Sequence, residues 1–425
     1  MLNRTTAPEF QTIQEVNFPA ARTQTLDNGT PLYIINVGQQ PVVRLEVIFD
    51  AGTWFEPKDS VSFFTMKMLA EGTKQKTAVQ ISEYFDSIGA FIDLGHGSDR
   101  ANLSVYGLTK HLAAILPMVS ELLSEAVFPE AELETIKNST LQNLRVNQEK
   151  NGYLASVMLR QSLFGNAHPY GKSQQENSIA AVETQDLRHF YAQRINTRPR
   201  AVVLSGRISE QDVALVNQFL GQPNANWPTA DQPTTAVFDG PQNTTQSRID
   251  RPESVQTSIR LGKRLITRHH ADWFKLLVTN EILGGYFGSR LMKNIREEKG
   301  LTYGISSSAL SFSNDGYFII SSECKKELAG QVSEEIEKEI RKLQTELVPD
   351  DELQTVKNYM AGQFVGNLNT PFEIADRVKM IQLERLDPNY YADYVQKIRH
   401  VTPHQIIEMA NKYWQIKSLS RVEVG

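Results

Sequence analysis

The chain has 425 residues, too many for one ordinary hydrophobic core, so two domains of about 200 residues are expected. Its 44 basic and 49 acidic residues leave a net charge of −5, and no lysine or arginine block provides the concentrated basic face that nucleic-acid binding needs. A single cysteine, Cys324, excludes an internal disulfide and a cysteine-based metal cluster within the chain.

The N-terminal segment, MLNRTTAPEFQTIQEV, has no apolar stretch typical of a secretory signal. No run of 18 apolar residues occurs anywhere in the chain, which argues against a membrane-spanning helix. If residue 1 is the native start, these features predict a cytoplasmic protein. A processed N-terminus would leave a periplasmic location open.

The first half alternates strand and helix patterns. Ser60 is expected to cap a helix that ends at Gly72, and Pro129 is expected to start a long helix with Glu130 and Glu132 in its first turn. The strand patterns cover residues 30–37, 42–51, 89–93, 100–107 and 201–205. The other helix patterns cover residues 78–88, 112–126, 153–163, 184–194 and 209–220.

Residues 221–247, GQPNANWPTADQPTTAVFDGPQNTTQS, are rich in Pro, Asn, Gln, Gly and Thr and offer little apolar area to bury. We interpret this segment as the linker between a domain at residues 1–220 and a second domain at residues 248–425.

The second half repeats a signature of the first. FPEAELETIKN from Phe128 recurs as VPDDELQTVKN from Val348, with Pro129 and Pro349 in register 220 positions apart. The order of strand and helix patterns agrees, because strands within residues 304–324 precede a long helix as they do in the first half. A tandem duplication explains both observations, whereas a shared turn and capping signature would explain only part of the match.

The stretch of residues 281–308, EILGGYFGSRLMKNIREEKGLTYGISSS, concentrates the candidate chemistry. Gly284, Gly285 and Gly288 precede a helical pattern, and glycine permits positive φ angles and close approach of another backbone. We expect a loop leading into a helix, with a substrate-binding role for these three glycines. Gly300 is the expected C-cap, and residues 302–312 then alternate like a strand.

Arg296 and Tyr303 therefore bracket a helix-to-strand corner. A guanidinium and a phenol seven residues apart across such a corner can converge on one carbonyl oxygen as hydrogen-bond donors. The alternative at this stage is an ion pair for Arg296 and a half-buried Tyr303 without catalytic function.

Common catalytic motifs are missing: the chain has no phosphate-binding Walker loop, no GxSxG and no HExxH in either direction. His269 and His270 are adjacent and are expected to be solvated. His400 and His404 have zinc-helix spacing, but Pro403 implies that a helix starts between them. The isolated His96, His111 and His168 are interpreted as satisfied imidazoles.

LGGYFGSRLMKNIREEKGLTYG resembles the C-terminal-domain signature of the M16 (pitrilysin/insulinase-like, mitochondrial-processing-peptidase-like) metallopeptidases. AGTWFEP from Ala51, LAEGT ending at Thr73, FPEAEL and HPYG from His168 resemble the N-terminal domain of that family, in order. The resemblance implies an α+β fold of two similar domains, each a mostly antiparallel sheet with helices on one face.

The family's zinc motif is His-x-x-Glu-His with a later Glu. Aligning the Gly-Thr at the end of the first helix places Phe63, Met66 and Lys67 at the motif positions and Asn143 at the later one. A phenyl ring, a thioether, an ammonium and a carboxamide provide no workable zinc shell, so no metal site is expected in this chain. Arg296 and Tyr303, in contrast, match the family's Arg and Tyr.

The resemblance thus implies the non-zinc subunit of a heterodimeric metalloendopeptidase acting on peptides or small unfolded proteins. The partner would be a homologue with an intact His-x-x-Glu-His motif and would hold the zinc, while Arg296 and Tyr303 would act on its substrate in trans. Two other hypotheses stay open: a structural or peptide-binding homologue similar to respiratory core proteins, and a self-sufficient hydrolase with an unrecognised site.

Overall fold

A computed structural model describes residues 12–222 and 244–425, which form two α/β domains with one sheet each. Most of the predicted linker lies outside the described residues, and a strand begins at Gln246, inside its predicted end. The strands are β1 Arg22–Thr25, β2 Pro31–Asn36, β3 Val42–Phe49, β4 Phe91–His96, β5 Ala101–Leu108, β6 Ala201–Gly206, β7 Gln246–Ile249, β8 Gln256–Leu265, β9 Thr302–Ser311, β10 Gly316–Lys325 and β11 Ser420–Val424.

The α-helices are α1 Val61–Met68, α2 Ala78–Ser87, α3 Leu112–Glu125, α4 Glu130–Gln148, α5 Asn151–Phe164, α6 Glu176–Ala180, α7 Thr184–Phe190, α8 Glu210–Leu220, α9 Trp273–Asn280, α10 Ala329–Thr345, α11 Asp350–Gly366, α12 Pro371–Leu383, α13 Tyr394–Arg399 and α14 Pro403–Tyr413. Helices occur at each of the helix patterns predicted in the first half, and α6, α9, α12 and α13 are additional helices that the sequence patterns did not predict. Wider π-helical turns follow at Tyr191–Ile195, Glu281–Gly285 and Met292–Glu298.

Five strands of the first sheet and the five strands of the second share one topology, with β1 as an extra edge strand, which confirms the predicted duplication. The strand order is β1-β2-β6-β3-β5-β4 in the first sheet and β7-β11-β8-β10-β9 in the second. Each sheet contains one parallel pair, β2 with β6 and β7 with β11, and its other pairs are antiparallel. Pro129 and Pro349 occupy the N-caps of the equivalent helices α4 and α11.

The domains exchange a helix, a feature that the sequence patterns did not reveal. Helix α5 of the first half packs on β8 and β11 of the second sheet, and α12 of the second half packs on β2 and β6 of the first. Each sheet therefore has its own helices on one face and a helix of the other half on the opposite face. This explains why β6 is buried along its whole length, since both of its faces are covered.

A buried arginine on β3 secures the exchanged helix α12. Arg44 donates from Nη2 to the carbonyl oxygen of Phe372 at 3.1 Å and to Asp376 Oδ1 at 2.9 Å. The neighbouring Glu46 accepts from Lys379 of the same helix at 2.8 Å. Because Arg44 and Glu46 are buried, each needs its partly exposed partner on α12 to avoid an uncompensated charge in the core.

The second domain repeats this arrangement on β8. Arg260 donates from Nη2 to the carbonyl oxygen of Gly152 at 3.3 Å and from Nε to Ser156 Oγ at 3.1 Å. Gly152 and Ser156 of α5 stand 220 positions before the two residues of α12 that Arg44 binds. The helix exchange is thus part of the duplicated plan.

Some local predictions need correction. Helix α1 ends at Met68 rather than at Gly72. Ser60 is its N-cap residue with a φ of 73°, but its side chain makes no capping hydrogen bond, and its hydroxyl lies 3.1 Å from Ser178 Oγ instead. His400 and His404 lie on either side of a helix boundary, as Pro403 predicted, since α13 ends before His400 and α14 begins at Pro403.

Candidate functional site

The face of α1 that aligns with a zinc motif is built from groups that do not bind zinc. Phe63 is half-buried, and its ring packs edge to face against Phe64 at 5.1 Å and His96 at 5.8 Å. Lys67 is exposed, with its ammonium 5.9 Å from the Phe63 ring centroid. Met66 is 0% exposed and belongs to the core of the first domain.

Asn143, at the aligned position of the later zinc ligand, is an exposed residue of α4, which packs against α1. Within residues 12–222 and 244–425, no group of three or more His, Cys, Asp or Glu side chains is arranged to hold a metal ion. A zinc ion does not fit this face, because a buried thioether and a phenyl ring replace the required lone pairs and Lys67 adds a like charge.

A cavity of about 380 Å³ lies beside this face, between the two halves of the chain. Its walls come from the loop after β3, from α1, from the end of β4, from α5, from the loop after α5 and from the loop after β9. The lining residues are Thr53, Glu56, Asp59, Ser60, Phe63, His96, Gly97, Ser98, Tyr153, Arg160, Pro169, Tyr170, Lys172, Ser173, Gln174 and Phe312.

Burial shifts the pKa of three titratable groups that line the cavity, Glu56, His96 and Tyr170, and it raises the pKa of Tyr170. Burial raises the pKa of Glu56 to about 7, although Lys172 Nζ lies 3.8 Å from its carboxylate. Burial also lowers the pKa of His96 to about 4, so its imidazole is neutral near pH 7. His96 Nε2 lies 2.6 Å from Ser62 Oγ, which agrees with the prediction of a satisfied imidazole. No spacing in the sequence indicates that Glu56 and His96 share a cavity.

Arg296 and Tyr303 meet at the predicted helix-to-strand corner in the second domain. Arg296 Nε donates to the backbone carbonyl of Tyr303 at 3.0 Å, and its guanidinium carbon lies 4.8 Å from the Phe287 ring centroid. Tyr303 is 94% exposed, so the alternative of a half-buried tyrosine is wrong. Across the described residues, Arg296 has no carboxylate partner, which also removes the ion-pair alternative.

The glycines of this region act differently from the prediction. Gly284 and Gly285 end the π-helical turn after α9, and Gly288 alone lies in the loop that leads to the next helix. None of the three has positive φ. A Cβ on Gly284 would lie 2.7 Å from Ser307 N, so this glycine is needed for close packing against β9. Their substrate-binding role stays a prediction.

A buried polar network holds the π-helix Met292–Glu298 against α10. Asn294 Nδ2 donates to Glu335 at 3.1 Å and to Glu339 at 2.7 Å, both on α10. Lys299 forms an ion pair with Glu335 and is the C-cap residue of the helix, so the predicted C-cap at Gly300 is one residue late; Gly300 follows with a φ of 61°. The corner that carries Arg296 is therefore held by Asn294, two residues before it, and by Lys299, three residues after it.

The remaining histidines do not form a site. His269 and His270 are exposed, as predicted. His168 is buried, and its Nδ1 accepts a hydrogen bond from the Tyr170 amide at 3.0 Å.

Cys324 is a buried thiol whose pKa burial raises to about 11, which disfavours the reactive thiolate. In the part of the chain that the structure describes, no helix has the length and apolar character needed to cross a membrane.

Comparison with protein families matches both halves. Residues 33–173 match the family described as Insulinase (Peptidase family M16), and residues 181–360 match the family described as Peptidase M16 inactive domain. An uncharacterized zinc protease of Bacillus subtilis is 24% identical over 351 residues, which cover 81% of this chain and 84% of the relative. One of Rickettsia bellii is 22% identical, covering 93% and 96% of the two chains.

Solved structures share the complete architecture. A peptidase M16 inactive domain from Pseudomonas fluorescens superposes with a TM-score of 0.83 at 25% identity and covers 95% of this chain and 98% of its own. A protease from Helicobacter pylori gives a TM-score of 0.85 at 16% identity, with coverage of 96% and 99%. At that identity the second likeness shows the fold alone.

Proposed function

This chain belongs to peptidase family M16, and we propose that it is the non-zinc subunit of a heteromeric M16 metalloendopeptidase. In this proposal a homologous partner with an intact His-x-x-Glu-His motif holds the zinc. Arg296 and Tyr303 of this chain then contact the peptide bond bound there. The substrates are peptides or small unfolded proteins.

One observation carries the proposal: the two halves of a catalytic site are unequally preserved. The positions aligned with the zinc ligands are Phe63, Met66, Lys67 and Asn143, which do not fit a metal. Tyr303, in contrast, presents its ring to solvent, and Arg296 is bonded to its backbone carbonyl. A tyrosine side chain that is 94% exposed has no evident use in the stability of this domain, whereas both groups suit a substrate outside it.

The chemistry asked of these residues is donation of hydrogen bonds. The Tyr303 hydroxyl and the Arg296 guanidinium can both donate to a substrate carbonyl oxygen, whose negative charge grows during hydrolysis. The bond from Arg296 Nε to the Tyr303 carbonyl uses one of the five guanidinium donors and leaves others for the substrate. That bond also fixes the guanidinium before substrate arrives, which reduces the ordering cost of binding.

A second function has its own support. Residues 181–360 match the family described as Peptidase M16 inactive domain, and the similar structure from Pseudomonas fluorescens is described as the same kind of domain. A non-catalytic structural or peptide-binding homologue, comparable to a core protein, would have lost the zinc face in the same way. It would not require Arg296 and Tyr303 to affect turnover.

Reconstitution tests the proposal. The purified chain alone should bind no stoichiometric zinc and cleave no peptide, and adding a zinc-bearing M16 homologue from the same organism should produce hydrolysis that neither chain shows separately. Zinc content, peptide cleavage and complex formation would be measured together. A complex that forms without activity would favour the structural function, and one retained zinc per isolated chain would favour a self-sufficient enzyme.

A further inference from the structure

The cavity beside α1 carries an inference that needs no partner subunit. Its volume of about 380 Å³ falls in the range of roughly 300–1,000 Å³ that is typical of ligand pockets. This volume is near the lower limit of that range and suits a ligand of two or three amino-acid residues. The question is which chemical group the lining residues would recognise.

Arg160, on α5, provides the main signal. Its Nε is buried without a hydrogen-bond partner, and no carboxylate of the described residues forms an ion pair with its guanidinium. Arg160 as a whole is half-buried, but an N–H kept from water without an acceptor is costly, and an anionic oxygen would satisfy it. The Nε2 atom of Gln174, which also lines the cavity, is a second buried donor without an acceptor.

The charges of the other lining residues do not balance the positive charge of Arg160, which one bound anion could neutralise. Lys172 Nζ lies 2.6 Å from Asp59 and 3.8 Å from Glu56, so its charge is compensated within the protein. Glu56 is buried with a pKa raised to about 7 and carries only part of a charge near neutral pH. The charge of Arg160 therefore stays uncompensated among the lining residues.

Aromatic groups form part of the remaining wall, beside small and polar residues such as Thr53, Ser60 and Ser98. Phe63 and Tyr153 come from the first half, and Phe312 comes from the second. Such walls favour an apolar or aromatic side chain next to the anion, which is the arrangement at the C-terminal end of a peptide. We propose that this cavity binds the C-terminal residue of a short peptide, with Arg160 and Gln174 donating to its free carboxylate.

Calorimetric titration of the full chain, without a partner subunit, tests this proposal with a matched pair of ligands. The tripeptide Gly-Gly-Phe has the free carboxylate, and its C-terminal amide differs only at that group. The free acid should bind, and the amide should bind at least about tenfold more weakly because it cannot form the charge-assisted bonds. Equal binding of acid and amide, or no binding of the acid at millimolar concentration, would overturn the proposal.

Variants assign the effect to the cavity. Arg160→Met keeps the length of the side chain and should abolish the preference for the free acid, whereas Arg341→Met, on the exposed face of α10, should retain it. If Arg160→Met fails to fold, Gln174→Leu should still weaken binding of the acid more than that of the amide. Sodium acetate and inorganic phosphate serve as competitors, and displacement of the tripeptide by either at equal concentration would reveal a general anion site and contradict peptide recognition.

Because these measurements use the isolated chain, their failure would leave the proposed role of Arg296 and Tyr303 untouched. Conversely, failure to reconstitute hydrolysis would leave peptide binding in the cavity intact.

Discussion

Two equivalent corners of the duplicated fold carry different chemistry. In the first domain α2 turns into β4 at Gly89, and in the second the π-helix Met292–Glu298 turns into β9 at Gly300. Both glycines have a φ of 61°, a left-handed conformation that glycine adopts without strain. The backbone plan is therefore shared, and the side chains around it decide what each corner can do.

The residues of the first corner mainly pack the core of the first domain. Helix α2 is regular, begins with a capping box between Thr77 and Gln80, and buries Phe85 in the core. Phe91, at the start of β4, is exposed but has no polar group to offer. This corner stabilises the first domain, and the buried Phe85 stands four residues before Gly89 as Arg296 stands four residues before Gly300.

The second corner carries two side chains, Arg296 and Tyr303, that can donate hydrogen bonds to a substrate. A π-helix makes hydrogen bonds between residues five apart, which shifts side-chain directions relative to an α-helix and is frequent at functional sites. Here it brings Arg296 against the Tyr303 carbonyl, while Asn294 is tied to α10 beneath it. The comparison teaches that duplication preserved the scaffold in both domains, while the candidate catalytic groups are concentrated in one.

The largest effect is expected from Arg296→Ala in a reconstituted complex. Loss of one preorganised oxyanion donor typically lowers kcat about 10² to 10³-fold, or roughly 3–4 kcal/mol in activation free energy. Peptide hydrolysis per assembled complex would be measured beside complex formation. Arg341→Ala, an exposed arginine on α10, is the matched control and should leave kcat unchanged. A normal kcat in the assembled complex of the Arg296 variant would contradict this prediction and would show that the second corner, like the first, serves only to pack its domain.

The second-largest effect is expected on the free energy of unfolding when Met66 of α1 is replaced. Met66→Glu restores the residue type of the aligned zinc motif but buries a carboxylate where the native side chain is 0% exposed. We expect a loss of roughly 3 kcal/mol in the free energy of unfolding at pH 7, measured by urea denaturation, because the charge has no partner there. Lys67→Glu, one residue away and exposed, should change stability by no more than about 0.5 kcal/mol. Native-like stability of Met66→Glu would mean that this face still accommodates a polar ligand.

A smaller effect is expected in the network under the second corner. Hydrogen bonds from Lys299, the largest cause, and Lys338 lower the pKa of Glu335 from 4.5 to about 2. A carboxyl whose pKa is lower in the folded state stabilises the fold above its unfolded pKa, and this contribution is lost as the pH falls. The free energy of unfolding should therefore decrease between about pH 4.5 and pH 2.

Glu335→Gln should flatten that part of the pH profile, measured by denaturant unfolding at each pH. Glu337→Gln, on the same helix but in an i,i+4 surface pair with Arg341, is the matched control and should retain the native profile. An unchanged slope in Glu335→Gln would show that this network does not anchor the corner.

The sequence predicted most local elements because their signals are local. Pro129 and Pro349 start equivalent helices, Gly300 follows the helix before β9, and Arg296 meets Tyr303 across seven residues of chain. The helix exchange was missed because it depends on which distant surface α5 and α12 cover. The same holds for the cavity, since Glu56, His96 and Arg160 are far apart in the chain and form no recognisable spacing.

The central claim is that the exposed corner of the second domain supplies donors in trans, and Tyr303→Phe tests it most directly. The substitution removes one hydroxyl from a side chain that is 94% exposed, so the fold and the bond from Arg296 to the backbone carbonyl should persist. The measurement is peptide hydrolysis per assembled complex with the zinc-bearing partner, with complex formation quantified in the same samples. The account predicts unchanged assembly and a kcat about 10² to 10³-fold below that of the native complex. An unchanged kcat in the fully assembled Tyr303→Phe complex would contradict it.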